Sequence, residues 1–415
     1  MEERKKLKKY ASLFLASSLV VGALAGCSGG SGGSSGGSSS GDQGTSTEGS
    51  GASGGSSGEV IKIGANLELT GNVASYGSSI AQGAELAIEE INKAGGIDGK
   101  QIELIKVDNK SENAEATAAA LRLATQEEVD VMIGPATSGN VLATVEIANK
   151  NKIPLVTASG TAPNLTENAD GSINEYIFRT CFIDPFQGVV AANFATEELG
   201  VKNVAIYADN ASDYAKGLAA AFKEQIEANG GTVVAEEAYV AKDTDFKSTL
   251  TLIKSKNPEF IFIPGYYEEV GLIVKQAREL GIDVPLMGAD GWDSPKLVEL
   301  AGGAALNNTF ITNHYSSEDP DPKIQDFVTA FNEKYGEAPN AFHALGYDTV
   351  YFIKDAIERA GSLDGEAIKD ALAATTNIEL VSGTFSVDEK HNAVKSATIL
   401  EYVDGNQTFK TKIDP

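Results

Sequence analysis

The side chains able to do chemistry in this 415-residue chain are few and scattered. Its cysteines, Cys27 and Cys181, leave no pair inside a folded body, so no internal disulfide is expected. Three histidines, His314, His343 and His391, stand apart without the close spacing a metal site needs, and each reads as structural or incidental. A Gly-x-Ser-x-Gly string from Gly33 to Gly37 matches a hydrolase elbow, but it sits in a Gly/Ser tract that produces it by composition alone. Elsewhere there is no Ser-His-Asp set, metal-ligand spacing or nucleotide loop, so neither catalysis nor a cofactor is expected. What remains is non-covalent chemistry at strand ends. Ser138, Ser159, Thr161 and Asp290 each follow a short apolar run. In open α/β sheets such junctions carry helix N-termini, whose free N–H groups and positive dipole end suit an anion. A lone carboxylate at such a junction suits a cation. Plainer roles, a helix N-cap at Ser138 and a turn at Asp290 before Gly291, fit the same positions.

Such positions need a scaffold, and the hydrophobic pattern supplies one. Short runs rich in Val, Ile and Leu alternate with amphipathic stretches, which predicts repeated βαβ units and parallel sheets. Strands are expected at Val60 to Leu67, Ile102 to Val107, Val129 to Gly134 and Ile153 to Thr157. The helices between them run at about Ser79 to Lys93, Ala114 to Glu127 and Gly139 to Lys150. A second series starts near Ile183, with strands at Asn203 to Ala208, Thr232 to Val240, Glu259 to Ile263, Val284 to Met287 and Thr309 to Thr312. Helices follow at Lys323 to Tyr335 and Ala341 to Ala360, then strand-like Thr384 to Val387 and Ala397 to Tyr402; periodicity does not say which lobe these last pieces join.

The N-terminus is of another kind. Arg4, Lys5, Lys6, Lys8 and Lys9 precede an apolar stretch from Ala11 to Ala25 that is short for a membrane span, and Leu24-Ala25-Gly26-Cys27 follows. This resembles a bacterial lipoprotein signal peptide, which implies cleavage after residue 26 and a diacylated Cys27 as membrane anchor. From Ser28 to Gly58, Gly and Ser fill 25 of 31 positions, too few apolar groups to start a core, so residues 27–58 read as lipid anchor and tether with a reach of roughly 30 Å. The net charge of −25 argues against nucleic acid as a partner, because phosphate binding needs a cationic face. The acidity suits a soluble exported body.

Several segments in the body resemble the leucine/isoleucine/valine-binding proteins, the substrate-binding components of amino-acid ABC importers. They are Gly71-Asn72-Val73-Ala74-Ser75-Tyr76-Gly77, Gly83-Ala84-Glu85-Leu86-Ala87, Ile133-Gly134-Pro135-Ala136-Thr137-Ser138, Thr157-Ala158-Ser159-Gly160-Thr161, Asp213-Tyr214-Ala215-Lys216-Gly217, Gly265-Tyr266 and Met287-Gly288-Ala289-Asp290-Gly291. They stand in family order and span nearly all of residues 59–415. The resemblance implies a type I periplasmic-binding fold: α/β, with two doubly wound parallel-sheet lobes joined by a three-crossing hinge. It places residues 59–183 plus 314–386 in lobe 1 and residues 184–313 plus 387–415 in lobe 2.

The ligand it implies is a free amino acid, branched-chain by preference, captured by a monomer anchored at the outer face of the cytoplasmic membrane and passed to a permease and its ATPase. By match to the family, Ser138 takes the α-carboxylate, Ser159 offers backbone groups, Thr161 adds a hydroxyl and an amide, and Asp290 pairs with the α-ammonium. Both charged ends need partners, since an unpaired buried charge is very costly. Where the family commonly has Glu this chain has the shorter Asp290, which bears on substrate size. Tyr76, Tyr214, Tyr266 and Trp292, with Phe342 beside them, are expected to wall the side chain from water. A ligand-sensing module of the same fold, or a binder of another small amino acid or amide, would use the same residues.

Overall fold

Alternation along the apolar runs decides the layers. The computed structural model describes residues 60–415; the expected leader, Cys27 and the Gly/Ser tract lie outside the described residues. The chain begins β1 (Ile61–Leu67), α1 (Ala74–Lys93), β2 (Ile102–Asp108), α2 (Asn113–Arg122), β3 (Val131–Ile133), α3 (Ser138–Leu142), α4 (Val145–Asn151), β4 (Leu155–Thr157) and β5 (Ile177–Arg179). The five strands form one parallel sheet in the order β2-β1-β3-β4-β5. Successive strand residues point to opposite faces. Ile133, Val156 and Phe178 accordingly join one core with Ile80, Ala84 and Ala87 of α1, while Met132, Leu155 and Ile177 join another with Ala120, Val141 and Ala148. Burial on both faces is the signature of a parallel sheet covered by helices on each side.

A second set follows: α5 (Asp184–Asn193), β6 (Asn203–Asp209), α6 (Asp213–Ala228), β7 (Thr232–Tyr239), α7 (Lys247–Ser255), β8 (Phe260–Phe262), α8 (Tyr267–Glu279), β9 (Leu286–Gly288), α9 (Pro295–Ala301) and β10 (Thr309–Asn313). Ile261, Leu286 and Ile311 face α8 and α9, and Phe260, Met287 and Phe310 face α5 and α6. The chain continues through α10 (Pro322–Tyr335), α11 (Ala341–Ala360), α12 (Gly365–Ala373), β11 (Ile378–Leu380), β12 (Gly383–Val387) and β13 (Ala393–Val394), and ends with β14 (Ala397–Val403) and β15 (Asn406–Ile413). The second sheet runs β15-β14-β10-β9-β8-β6-β7, parallel from β10 to β7, with β14 and β15 added antiparallel at its edge.

The chain therefore leaves the first sheet after β5, leaves the second after β10 to pack α11 on α1, and rejoins the second between β13 and β14. The run Thr384 to Val387 joins neither large sheet; it pairs with β11 and β13 in a small antiparallel one. The single helix expected over 139–150 is two, interrupted at Thr144, whose hydroxyl donates to the Val141 carbonyl at 2.7 Å. The helix expected from Ser79 begins at Ala74, which puts Tyr76 in its first turn. Among the described residues, no helix is long and apolar enough to cross a membrane.

Helices α1 and α11 cross at unusually short range because two glycines face backbone. A Cβ at Gly83 would lie 2.0 Å from the His343 carbonyl oxygen, and one at Gly346 would lie 2.3 Å from that of Ile80. His343 itself closes the start of α11: its Nδ1 accepts the Asn340 N–H at 3.0 Å and its Nε2 meets Gln82 at 2.9 Å. Gly83→Ala should lower stability by about 1–3 kcal/mol through overpacking. Chemical unfolding of the variant checks this; an unchanged midpoint would show that the helices separate at no cost.

Candidate functional site

Loops at the carboxyl ends of strands from both sheets converge on one narrow cavity. The first sheet contributes Ala136, Thr137 and Ser138 beyond β3 and Ser159 beyond β4, with Tyr76 from α1 and Phe342 from α11. The second contributes Tyr214 from the first turn of α6, Tyr266 from the N-cap of α8, and Asp290 and Gly291 beyond β9. This is where open α/β sheets place ligands. The wider trough between β7 and α6 is open and edged by Lys216, Lys223, Glu224 and Glu236, with Asp209 the buried polar residue on its lining.

Ser138 opens α3, so its N–H is a first-turn donor without an intrahelical acceptor. Its Oγ accepts the Ala162 N–H at 3.1 Å, which leaves the hydroxyl proton to donate. The two preceding amides are occupied. Glu68, fully buried just beyond β1, accepts from Ala136 N at 2.9 Å, Thr137 N at 3.1 Å, the Thr137 hydroxyl at 3.0 Å and Asn140 Nδ2 at 2.8 Å. The Ser159 hydroxyl is used within the protein, donating to the Ala136 carbonyl at 2.8 Å, so its backbone is what it can offer.

Thr161 lies behind this wall. It is fully buried, its Oγ1 has no well-formed hydrogen bond, and it stands beside Asp184, whose carboxylate is likewise buried without a donor. Burial holds the Asp184 carboxyl well above the usual carboxylate range, opposed in part by Thr161. Arg179, also buried, turns away to the carbonyls of Gly160 and Ala162, at 2.8 and 2.9 Å.

Asp290 faces the cavity from the opposite sheet. Oδ1 accepts from Tyr214 Oη at 2.8 Å and Gln187 Nε2 at 3.2 Å, and Oδ2 meets His314 Nε2 at 3.0 Å. A carboxylate has about four lone-pair sites, so roughly one remains open. The walls are aromatic. Tyr76 stacks on Phe342 with centroids 4.4 Å apart, and Tyr214 stacks on Tyr266 at 5.1 Å. Both tyrosine hydroxyls are engaged by protein: Tyr76 donates to the Gly291 carbonyl and accepts the Tyr267 N–H, while Tyr214 accepts the Gly291 N–H at 2.9 Å. Burial pushes both phenols above their ordinary range. Gly291 must lack a side chain, since a Cβ there would lie 2.7 Å from the Gly265 carbonyl and 2.8 Å from the Tyr214 hydroxyl.

Hydrogen bonds also bridge the sheets at the rim. Ser75 and Ser294 share a hydroxyl contact of 2.7 Å, and Tyr267 Oη donates to the Asn72 carbonyl at 2.8 Å. Near the crossings, buried Asp293 accepts from Asn313 at 2.9 Å, from the Ala341 N–H at 2.9 Å and from Gln407 at 2.6 Å.

Six of the eight residues named from the sequence thus line one cavity, with Thr161 behind it. Trp292 does not line it. The indole is fully buried in the core of the second sheet, donates to the Ile263 carbonyl at 2.9 Å and fills the space over Gly288. A position two residues from Asp290 had suggested the cleft, but the short 3-10 turn Asp290–Trp292 aims the ring inward. Sequence reasoning missed Glu68, Asp184, Gln187 and His314. Glu68 and Gln187 carry no motif, and a lone histidine far from Asp290 in sequence gives no spacing signal. Among the described residues, no group of three or more His, Cys, Asp or Glu side chains is placed to hold a metal ion.

The periplasmic binding protein family matches residues 60–407. The chain belongs to this family. A Pseudomonas aeruginosa relative, the leucine-, isoleucine-, valine-, threonine- and alanine-binding protein, is 32% identical over 332 residues, 80% of this chain and 87% of its own length. Among solved structures, the branched-chain amino acid transporter substrate-binding protein LivJ of Streptococcus pneumoniae, in complex with isoleucine, superposes with a TM-score of 0.81 at 42% identity. It covers 86% of this chain and 100% of that one. The leucine-binding protein LivK of Thermotoga maritima gives 0.81 at 37% identity, covering 86% and 99%. Members of the family bind substrates for transporters and do not turn them over, and the two-lobed α/β architecture is theirs.

Proposed function

We propose that this protein is the extracytoplasmic substrate-binding component of an ABC importer, and that it captures a branched-chain amino acid between its two lobes. The observation that carries this reading is the cavity itself: a hydroxyl at a helix start on one side, a buried carboxylate on the other, and tyrosine and phenylalanine faces between. An α-carboxylate would take the Ser138 hydroxyl and N–H, with the Ser159 backbone adding to the polar end and Thr161 backing that wall. An α-ammonium would take the open site on Asp290, an attraction of about 4 kcal/mol at about 4 Å and an effective dielectric near 20 before desolvation is subtracted. The aromatic walls, with the Tyr76 and Tyr214 hydroxyls already engaged, offer a side chain mainly apolar contact. The likeness to isoleucine- and leucine-binding proteins points to the same ligands.

In this reading, residues 59–183 plus 314–394 form lobe 1 and residues 184–313 plus 397–415 form lobe 2, the third crossing falling between β13 and β14 and not at the 386/387 boundary expected from the sequence. Ligand bridging both lobes favours the closed form by its differential affinity. Cys27 carries the lipid that holds the protein, as a monomer, at the outer face of the membrane beside the permease and ATPase. Titration calorimetry with leucine, isoleucine and valine tests the ligand class. Saturable heat with at least one of them is expected; no heat with these or any other amino acid would end the proposal.

A further inference from the structure

We propose that His314 is a positioning residue that holds the Asp290 carboxylate for the ligand's ammonium, and that a proton on His314 competes with the ligand for that carboxylate. The inference rests on the amino-acid-binding function proposed above. His314 directly follows β10, at the second crossing between the sheets. Its side chain is 1% exposed and stacks on Phe182 with centroids 3.7 Å apart. Nε2 lies 3.0 Å from Asp290 Oδ2, while Nδ1 is buried without a partner.

That asymmetry selects the neutral ring. With its proton on Nε2, the imidazole donates to Asp290 and Nδ1 is an unused acceptor; a second proton would bury an N–H with nothing to receive it. The charged neighbours are mixed. Asp290 favours the imidazolium, whereas burial and buried Lys395, on the third crossing, oppose it, and the balance holds the ring below its ordinary pKa. Asp290 in turn shares its surroundings with Asp184 on α5, Asp293 beyond β9 and the phenol of Tyr214 on α6. Ligand ammonium on the open site of Asp290 would be a second cation beside the ring. Binding therefore drives a proton off His314, and by reciprocity a proton on His314 weakens binding.

The sign follows. Affinity is fullest where the ring is neutral and falls only as pH drops through the ring's own lowered pKa, below the ordinary histidine value of 6.5. One linked proton sets a limit of about tenfold per pH unit. The test is calorimetry with leucine on the full chain between about pH 5 and 8, a range in which leucine stays zwitterionic. Wild type should lose affinity toward the acid end. His314→Gln, which keeps a donor near the Nε2 position and cannot titrate, should show a flat profile whatever its affinity at pH 8. Where that variant folds poorly, NMR titration of the His314 ring in wild type supplies the same answer: leucine should lower its apparent pKa. A wild type that binds leucine with no acid loss, a loss that persists in His314→Gln, or a ring pKa unmoved by leucine would overturn this inference alone. A wild type that binds no amino acid at any pH would overturn the proposed function and this inference with it.

Discussion

Asp290→Asn is expected to weaken leucine binding by between about 30-fold and a few thousand-fold while leaving the fold intact. The substitution keeps the shape and most of the hydrogen bonds: the amide oxygen can still accept from Tyr214 and Gln187, and the amide nitrogen can donate to His314 once that ring shifts its proton to Nδ1, at the cost of an unpartnered N–H there. What disappears is the negative charge. Removing one partner of a buried, hydrogen-bonded charge pair costs about 2–5 kcal/mol, at about 1.4 kcal/mol per tenfold in affinity. Most of the loss should appear as faster release, since the variant closes on an ammonium it cannot neutralise. Calorimetry and stopped-flow release rates measure both. Unchanged affinity would mean that the ammonium is held elsewhere, with the buried and unpaired Asp184 the next acid to test.

Glu68→Ala is expected to cost about 3–5 kcal/mol of stability and to abolish binding. Glu68 accepts four hydrogen bonds inside the protein, two of them from the amides that precede Ser138. Removing the acceptor leaves four donors facing a hole in a buried site, and breaking such a network is among the most destabilising single changes. The loop that carries Ser138 would lose its anchor at the same time, so binding fails by misplacement even though Glu68 is not among the residues lining the cavity. Denaturant unfolding followed by calorimetry on the folded fraction separates the two effects. Unfolding at the wild-type denaturant concentration would show that the loop is held by its packing, with Glu68 dispensable.

The α/β rhythm was legible because strand and helix leave different hydrophobic periods in the chain, and both faces of each sheet are covered. The short central strands were placed within a few residues, and the strand-end positions of Ser138, Ser159 and Asp290 followed from them. Edges were harder to read. β15 alternates between exposed and half-buried residues, and β5 is a three-residue strand, so neither carries a strong apolar run. The destinations of β12 and β14 were undetermined for a deeper reason: periodicity describes a strand's own faces and says nothing about which strand it will pair with.

The amino-acid order by itself determined the class of fold, the order of the strand-end loops, and the residue types that could meet a zwitterion, because each is a local property of short segments. Only the tertiary structure decided which of those residues share a cavity. It turned Trp292 into the core, set Thr161 and Asp184 behind the wall, and brought Glu68, Gln187 and His314 against groups as many as 125 positions away in the chain. The physical reason is that a buried polar group is satisfied by whatever partner the packing delivers. Those partners arrive across sheets and crossings, along contacts that leave no period or spacing in the sequence.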